Sequence, residues 1–185
     1  MSSSSLLLSP GPYHIISYGT LLGTTFFHSF VGGIISFQVL PRPQFSALQA
    51  KIFPVYFSIQ TTIPVILALT YPGATSAFGS AGAAGIAGVL DPDNRWSVLA
   101  PIAAIFLTGL ANLAVVGPAT TKCMRERKHQ ETKDGKKSYD APPHSQEMTA
   151  LNKRFFQLHG ISSLLNLGNF IAAVVYGFTL ASRLD

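Results

Sequence analysis

An all-α fold, a polytopic membrane protein built as a four-transmembrane-helix bundle, is what the sequence predicts, and three observations predict it. Thirteen Lys and Arg and eight Asp and Glu make only 21 charged residues in 185, about half the share a soluble domain carries. The charges are also unevenly placed, since 1–41, 52–90, 96–121 and 155–182 hold none. Each of these stretches can supply the roughly 20 apolar residues that a helix rising about 1.5 Å per residue needs to cross hydrocarbon. The apolar runs are too long, and too poor in period-2 alternation, for the strands of a transmembrane barrel. The lipid bilayer is therefore the expected solvent, which excludes a soluble enzyme, a nucleic-acid binder and a disordered chain.

The spans fall near Tyr13–Gln38, Ile52–Tyr71, Ser97–Gly117 and Gly160–Ser182, giving a short tail over 1–12 and a transmembrane domain over 13–182. The serines at 2–5 and Leu6–Leu8 lack the basic start and the length of a signal peptide, so span 1 is expected to act as an uncleaved anchor. Eleven of the thirteen Lys and Arg lie between spans 1 and 2 or between spans 3 and 4. By the positive-inside rule this puts both termini and the 72–96 loop on the non-cytosolic side. The expected location is the endomembrane system or the plasma membrane, and a mitochondrial outer membrane fits the same pattern.

Leu40-Pro41-Arg42-Pro43 stops the first span, because proline lacks an N–H and pushes its predecessor out of the α region. Phe45, Leu48 and Ile52 then recur with helical spacing while Arg42, Gln49 and Lys51 stay polar. That pattern suits either a short helix at the headgroup level or the first turns of span 2. In the 72–96 loop, Gly79, Gly82, Gly85 and Gly88 repeat every three residues. Neither the flanking strand nor the Gly-Lys-Ser/Thr of a nucleotide loop accompanies them, so they read as a flexible or closely packed segment. Trp96 marks a membrane edge.

The third connection, 122–154, concentrates 14 of the 21 charges and is polar enough to be expected as a disordered loop. Its basic flanks, Lys122, Arg125, Arg127, Lys128, Lys153 and Arg154, either bind anionic lipid or serve only to orient the chain. Cys123 is the sole cysteine, which excludes an internal disulfide. Its juxtamembrane position permits palmitoylation.

Polar residues inside the spans carry the functional signal, since a polar group in hydrocarbon needs a partner or a cavity. At 100° per residue, His14, Ser17, Thr24, His28 and Gly32 share one arc of span 1. Span 4 aligns His159, Ser162, Asn166, Asn169 and Tyr176; span 3 contributes Pro101, Thr108 and Asn112; span 2 adds Gln60, Thr61 and Pro64. These stripes either bond the helices to one another or line a small polar cavity, and the two roles are compatible. The candidate ligand-binding residues are His14, Asn112, His159, Ser162 and Asn166. No catalytic residue, resident metal or cofactor is expected, because no intramembrane carboxylate accompanies the histidines to form an acid–base pair. Gly19 and Gly23 form a small-xxx-small pair suited to close packing. Four helices enclose little, so a homo-oligomer is compatible with the pattern.

Ser29-Phe30-Val31-Gly32-Gly33, Leu40-Pro41-Arg42 and Gln49 to Phe57 resemble the first half of transmembrane protein 205-like proteins, the domain-of-unknown-function 4149 group. Asn152 to Leu167, with its His159-Gly160, paired serines and Asn166, is similar to that group's C-terminal signature. The resemblance covers roughly 13–180 outside the variable loops and implies four transmembrane helices, with loose links to trafficking or export. His14, Gly32–Gly33, Pro41-Arg42, Lys51, Phe53-Pro54 and the 159–166 block match the group, whereas His28 does not. Where some relatives carry Glu-Pro-Arg after span 3, this chain has Gly117-Pro118-Ala119, so a salt bridge there is not expected. The function these observations favour is a non-enzymatic membrane protein that binds or passes a small solute. The alternatives are a membrane-embedded metal or haem carrier using His14 and His159, and a trafficking scaffold acting through its cytosolic loop.

Overall fold

A computed structural model describes residues 9–73, 75–76, 79–80 and 82–182. Among them, four helices are long and apolar enough to cross a membrane: Pro10–Val39, Arg42–Leu69, Pro92–Asp134 and Gln146–Ala181. Their order is α1 (Pro10–Phe26), a π turn (Phe27–Gly32), α2 (Gly33–Val39), α3 (Arg42–Leu69), a two-residue ladder of β1 (Thr75–Ser76) with β2 (Gly79–Ser80), and α4 (Gly85–Val89). Span 3 follows as a 3-10 turn (Pro92–Asn94), a π turn (Arg95–Leu99), α5 (Ala100–Ala111), a π turn (Asn112–Val116) and α6 (Gly117–Asp134); α7 (Gln146–Ala181) is span 4. The fold is all-α as the sequence predicts. The expected tail keeps only its last residues inside the described part, and Pro10 already opens α1.

Apolar side chains cover the outside. Trp96, Phe178, Leu164, Phe156 and Ile16 are all strongly exposed, as lipid-facing residues must be. Leu21, Leu67, Val98, Ile105, Ala173 and Tyr176 form the buried core, and α5 packs against both α3 and α7 at its centre. Backbones of two spans approach closely at Gly109, where a Cβ would lie 2.8 Å from the Gln60 carbonyl oxygen. Pro64 cannot donate to that carbonyl. Gly19 and Gly23, which the sequence suggests as packing positions, are exposed, and a Cβ at either would meet no other helix within 4 Å.

The π turns have a sequence cause. In span 3, each is followed two positions on by a proline, Pro101 and Pro118. A pyrrolidine ring removes one i→i−4 bond and crowds the preceding turn, and widening that turn relieves the crowding. Gly117 closes the second of them by donating its N–H to the Asn112 carbonyl. A Cβ there would stand 2.6 Å from that same oxygen. Gly33 closes the turn in span 1 on His28 in the same way. The uniform 100° stripe expected along span 1 is consequently broken between Phe27 and Gly32.

Two connections take a definite form. Arg42–Leu69 is one uninterrupted helix through Pro54 and Pro64, so no separate interfacial helix precedes span 2. The 122–154 segment is not disordered: α6 continues to Asp134, α7 begins at Gln146, and only 135–145 forms the turn. Internal pairing supplies what composition does not reveal. Arg127 Nε donates to Asn152 Oδ1 at 2.9 Å and Arg154 pairs with Glu126 at 3.3 Å. The Glu131 carboxylate accepts from the Ser138 amide (3.0 Å) and hydroxyl (2.6 Å), and Ser145 caps α7 through the Met148 amide. Burial raises the Glu131 carboxyl, but the Ser138 bonds, Lys137 and Arg127 outweigh it and hold the group below the usual carboxylate range. Cys123 is fully buried in this hairpin, its thiol 3.6 Å from the Leu151 carbonyl, and is not accessible for acylation as it stands.

Candidate functional site

Polar side chains meet at two levels of the bundle. At the first, His14 of α1 sits between the ends of α3 and α7. The Thr70 hydroxyl is committed to the Ile66 carbonyl at 2.7 Å, so its oxygen accepts from His14 Nδ1 at 3.1 Å. That leaves Nε2 as the acceptor of the Tyr176 hydroxyl at 2.7 Å. Every proton in this chain has a defined acceptor. His14 is buried and its neighbours are hydroxyls and rings rather than carboxylates, including Tyr71 edge-on at 6.3 Å.

The second level lies further along α7. Asn169 donates to the Ile105 carbonyl (2.9 Å) and to Thr108 Oγ1 (3.0 Å). Thr108 spends its proton on Ala104, so Asn169 must present its NH2 to this pair, and its Oδ1 is left buried without a donor. Asn112, the first residue of the π turn, reaches the Ser162 carbonyl at 3.5 Å and Asn166 Oδ1 at 3.4 Å, both at the long limit of a hydrogen bond. Its own oxygen also lacks a donor, as does that of Gln60, whose NH2 goes to the Tyr56 hydroxyl at 2.8 Å. Buried amide oxygens left bare carry a desolvation cost.

Below Asn112 the ring contacts of span 1 with α7 end at Phe170, whereas those with α3 continue through His28, Tyr56 and Phe53. A cavity of about 360 Å³ lies between α3, α6 and α7. Its floor is apolar, with Phe53, Phe57 and Leu113; its rim carries Lys122, Arg125 and His159; and Ser162 links it to Asn112. Pro54, on the same wall, cannot donate to the Ala50 carbonyl, and Ala50 also lines the space. His159 stacks on Phe155 with planes 6° apart, and Arg127 lies over that same Phe155 ring at 4.4 Å.

Residues 16–129 match the family described as a domain of unknown function, DUF4149. The chain belongs to this DUF4149 family. It is also similar to xanthocillin biosynthesis cluster protein D of Aspergillus fumigatus, with 34% identity over 173 residues, 94% of this chain and 90% of the relative. No solved structure matches. Of the site residues in this DUF4149 chain, Asn112, Lys122 and Arg125 lie in the stretch matched to the family, whereas His14 and the whole of α7 lie outside it.

Among the five candidates from sequence, the DUF4149 bundle brings Asn112, Ser162 and Asn166 together and places His159 at the cavity below them. His14 is elsewhere. Its partner Tyr176 is 17 residues along α7 from His159, about 26 Å at helical rise, so the two imidazoles cannot hold one metal ion between them. No three His, Cys, Asp or Glu side chains cluster as a metal site among the described residues. The partner Thr70 and the floor residues Phe53, Phe57 and Leu113 were not legible as site members. A threonine at a span end and apolar residues in an apolar span carry no signal of their own.

Proposed function

We propose that this chain is a non-enzymatic membrane protein of the transmembrane protein 205-like kind, which binds or passes a small solute through its polar interior. The observation that carries the reading is the continuity from cavity to buried amide: Ser162 lines the cavity and its carbonyl faces Asn112, whose oxygen has no donor. A solute carrying a hydrogen-bond donor would satisfy that oxygen where the protein does not. His14, fully buried and held between two hydroxyls, supports a structural rather than an acid–base role for its imidazole. The relative's name, which ties it to a biosynthesis cluster, supports a small organic molecule over an inorganic ion. Both termini are assigned to the non-cytosolic face of an endomembrane or plasma membrane, with anionic lipid at the basic end. A homo-oligomer remains compatible with four helices that enclose so little.

Cysteine accessibility tests this. In a Cys123→Ala background, Ser162→Cys and Asn112→Cys should react with a small water-soluble thiol reagent added from the basic side, while lipid-facing Leu164→Cys should not. Unreactive cysteines at both 162 and 112 would mean a dry interior in which the polar side chains only join helices.

A further inference from the structure

The cavity carries a more specific assignment, which rests on the reading of that cavity as a ligand site. The basic residues near it are not equivalent. Arg127 is committed to Asn152 and the Phe155 ring, Arg154 to Glu126, and Lys137 to Glu131. Lys122 and Arg125, three residues apart on one face of α6, are the two that line the cavity. Neither has an ion pair or side-chain hydrogen bond among the described residues. Two uncommitted cations thus stand at one end of a space whose other end is built from Phe53, Phe57 and Leu113.

Charge and apolar surface in that order select an amphiphile. A free phosphate would gain the cations but nothing from the rings, and a neutral apolar molecule would leave both cations without a counter-charge. Hydroxyls complete the recognition. Thr120 donates to the Val116 carbonyl, while Thr121 and Ser162 also line the cavity and are suited to donate to an oxyanion. The volume, about 360 Å³, lies in the range of small-molecule sites. We propose that the cavity binds one acidic amphiphile, its phosphate or carboxylate head between Lys122 and Arg125 and its apolar chain against Phe53, Phe57 and Leu113.

The test uses the full chain in phosphatidylcholine nanodiscs and native mass spectrometry of the lipid it retains, with phosphatidylglycerol, oleate and inorganic phosphate as separate probes. The wild type should retain one acidic amphiphile in preference to phosphatidylcholine, and inorganic phosphate should not displace it. Retention of phosphatidylglycerol alone would identify a phospholipid source and retention of oleate alone a fatty-acid source; either supports the assignment. Lys122→Ala/Arg125→Ala should weaken retention about 30-fold, the ratio for two charge contacts near a membrane surface. Lys128→Ala/Lys153→Ala, which removes the same charge away from the cavity, should leave it within about twofold. Equal losses in the two pairs, or displacement by phosphate, would overturn the assignment. Leu113→Trp, which fills the floor and leaves both cations in place, should also reduce retention. Should Ser162→Cys be solvent-reactive while retention ignores both cations and the floor, the solute reading survives and this one does not. If Ser162→Cys and Asn112→Cys are unreactive, both fall.

Discussion

The Tyr176 hydroxyl donates to His14 Nε2 at 2.7 Å across the junction of spans 1 and 4, and the opposite ring nitrogen donates to Thr70 at the end of span 2. One imidazole therefore ties three helices together at one end of the bundle. A double-mutant cycle of His14→Ala with Tyr176→Phe should give a coupling energy between about 0.6 and 1.7 kcal/mol, the average and the maximum of such cycles for hydrogen bonds between transmembrane helices. Unfolding in mixed micelles measures it, and zero coupling would remove the bond from the account of stability.

The two buried asparagines should behave differently. Asn169 makes two good bonds, at 2.9 and 3.0 Å, and Asn112 only two long ones. Asn169→Leu should cost about 1–2 kcal/mol, whereas Asn112→Leu should stay within about 0.5 kcal/mol of wild type. A stable Asn112→Leu that no longer accepts solute would mark a binding residue. An Asn112→Leu as unstable as Asn169→Leu would make it a joint between helices.

Gly117→Ala should be far costlier than an ordinary glycine change. Its Cβ would meet the Asn112 carbonyl at 2.6 Å, so the π turn must distort, at about 1–3 kcal/mol for overpacking of this kind. Gly19→Ala, with nothing within 4 Å, serves as the control and should be neutral.

The hairpin turn should be acid-labile. With the Glu131 carboxyl held below its ordinary value in the folded chain, its contribution is fully present above the unfolded carboxylate range, about pH 4.3. It is lost as pH falls through the lower folded value. A spin label at Tyr139→Cys, in a Cys123→Ala background, should become mobile under acid, and Glu131→Gln should leave it more mobile at neutral pH. A label whose mobility ignores both changes would show that Glu131 does not hold the turn.

Orientation has a separate readout. A glycosylation acceptor engineered into the 72–96 loop should be modified in the secretory pathway, and one in 128–147 should not. The reverse pattern would invert the assigned topology.

The four spans were legible because hydrocarbon excludes charge, and the placement of 21 charged residues records that exclusion directly. The convergence of Asn112, Ser162 and Asn166 was legible for a related reason: polar groups in a span must face inward. His28 shows where the regular period fails. It lies within the π turn Phe27–Gly32, where the 100° step no longer holds, and its ring packs on Phe53 and Tyr56 of α3 rather than continuing toward span 4. The hairpin was misread because composition registers affinity for water. The bonds of Arg127 to Asn152 and of Arg154 to Glu126 depend on pairings across a turn that no local window contains.

The π turn at Asn112–Val116 makes span 3 two cogs on one axle. Its membrane half is phased to present Ile105, Thr108 and Asn112 to α7, while its basic half is phased separately to turn Lys122 and Arg125 to the cavity. A π turn holds one residue more than the α-helical turn it replaces, so a single deletion there can be absorbed without breaking the helix. The widened turn covers about the same rotation with one more residue, so such a deletion would leave the two halves facing as they do now. Descendants of this chain can therefore lose one residue at this turn and keep both the polar seam against α7 and the cations at the cavity.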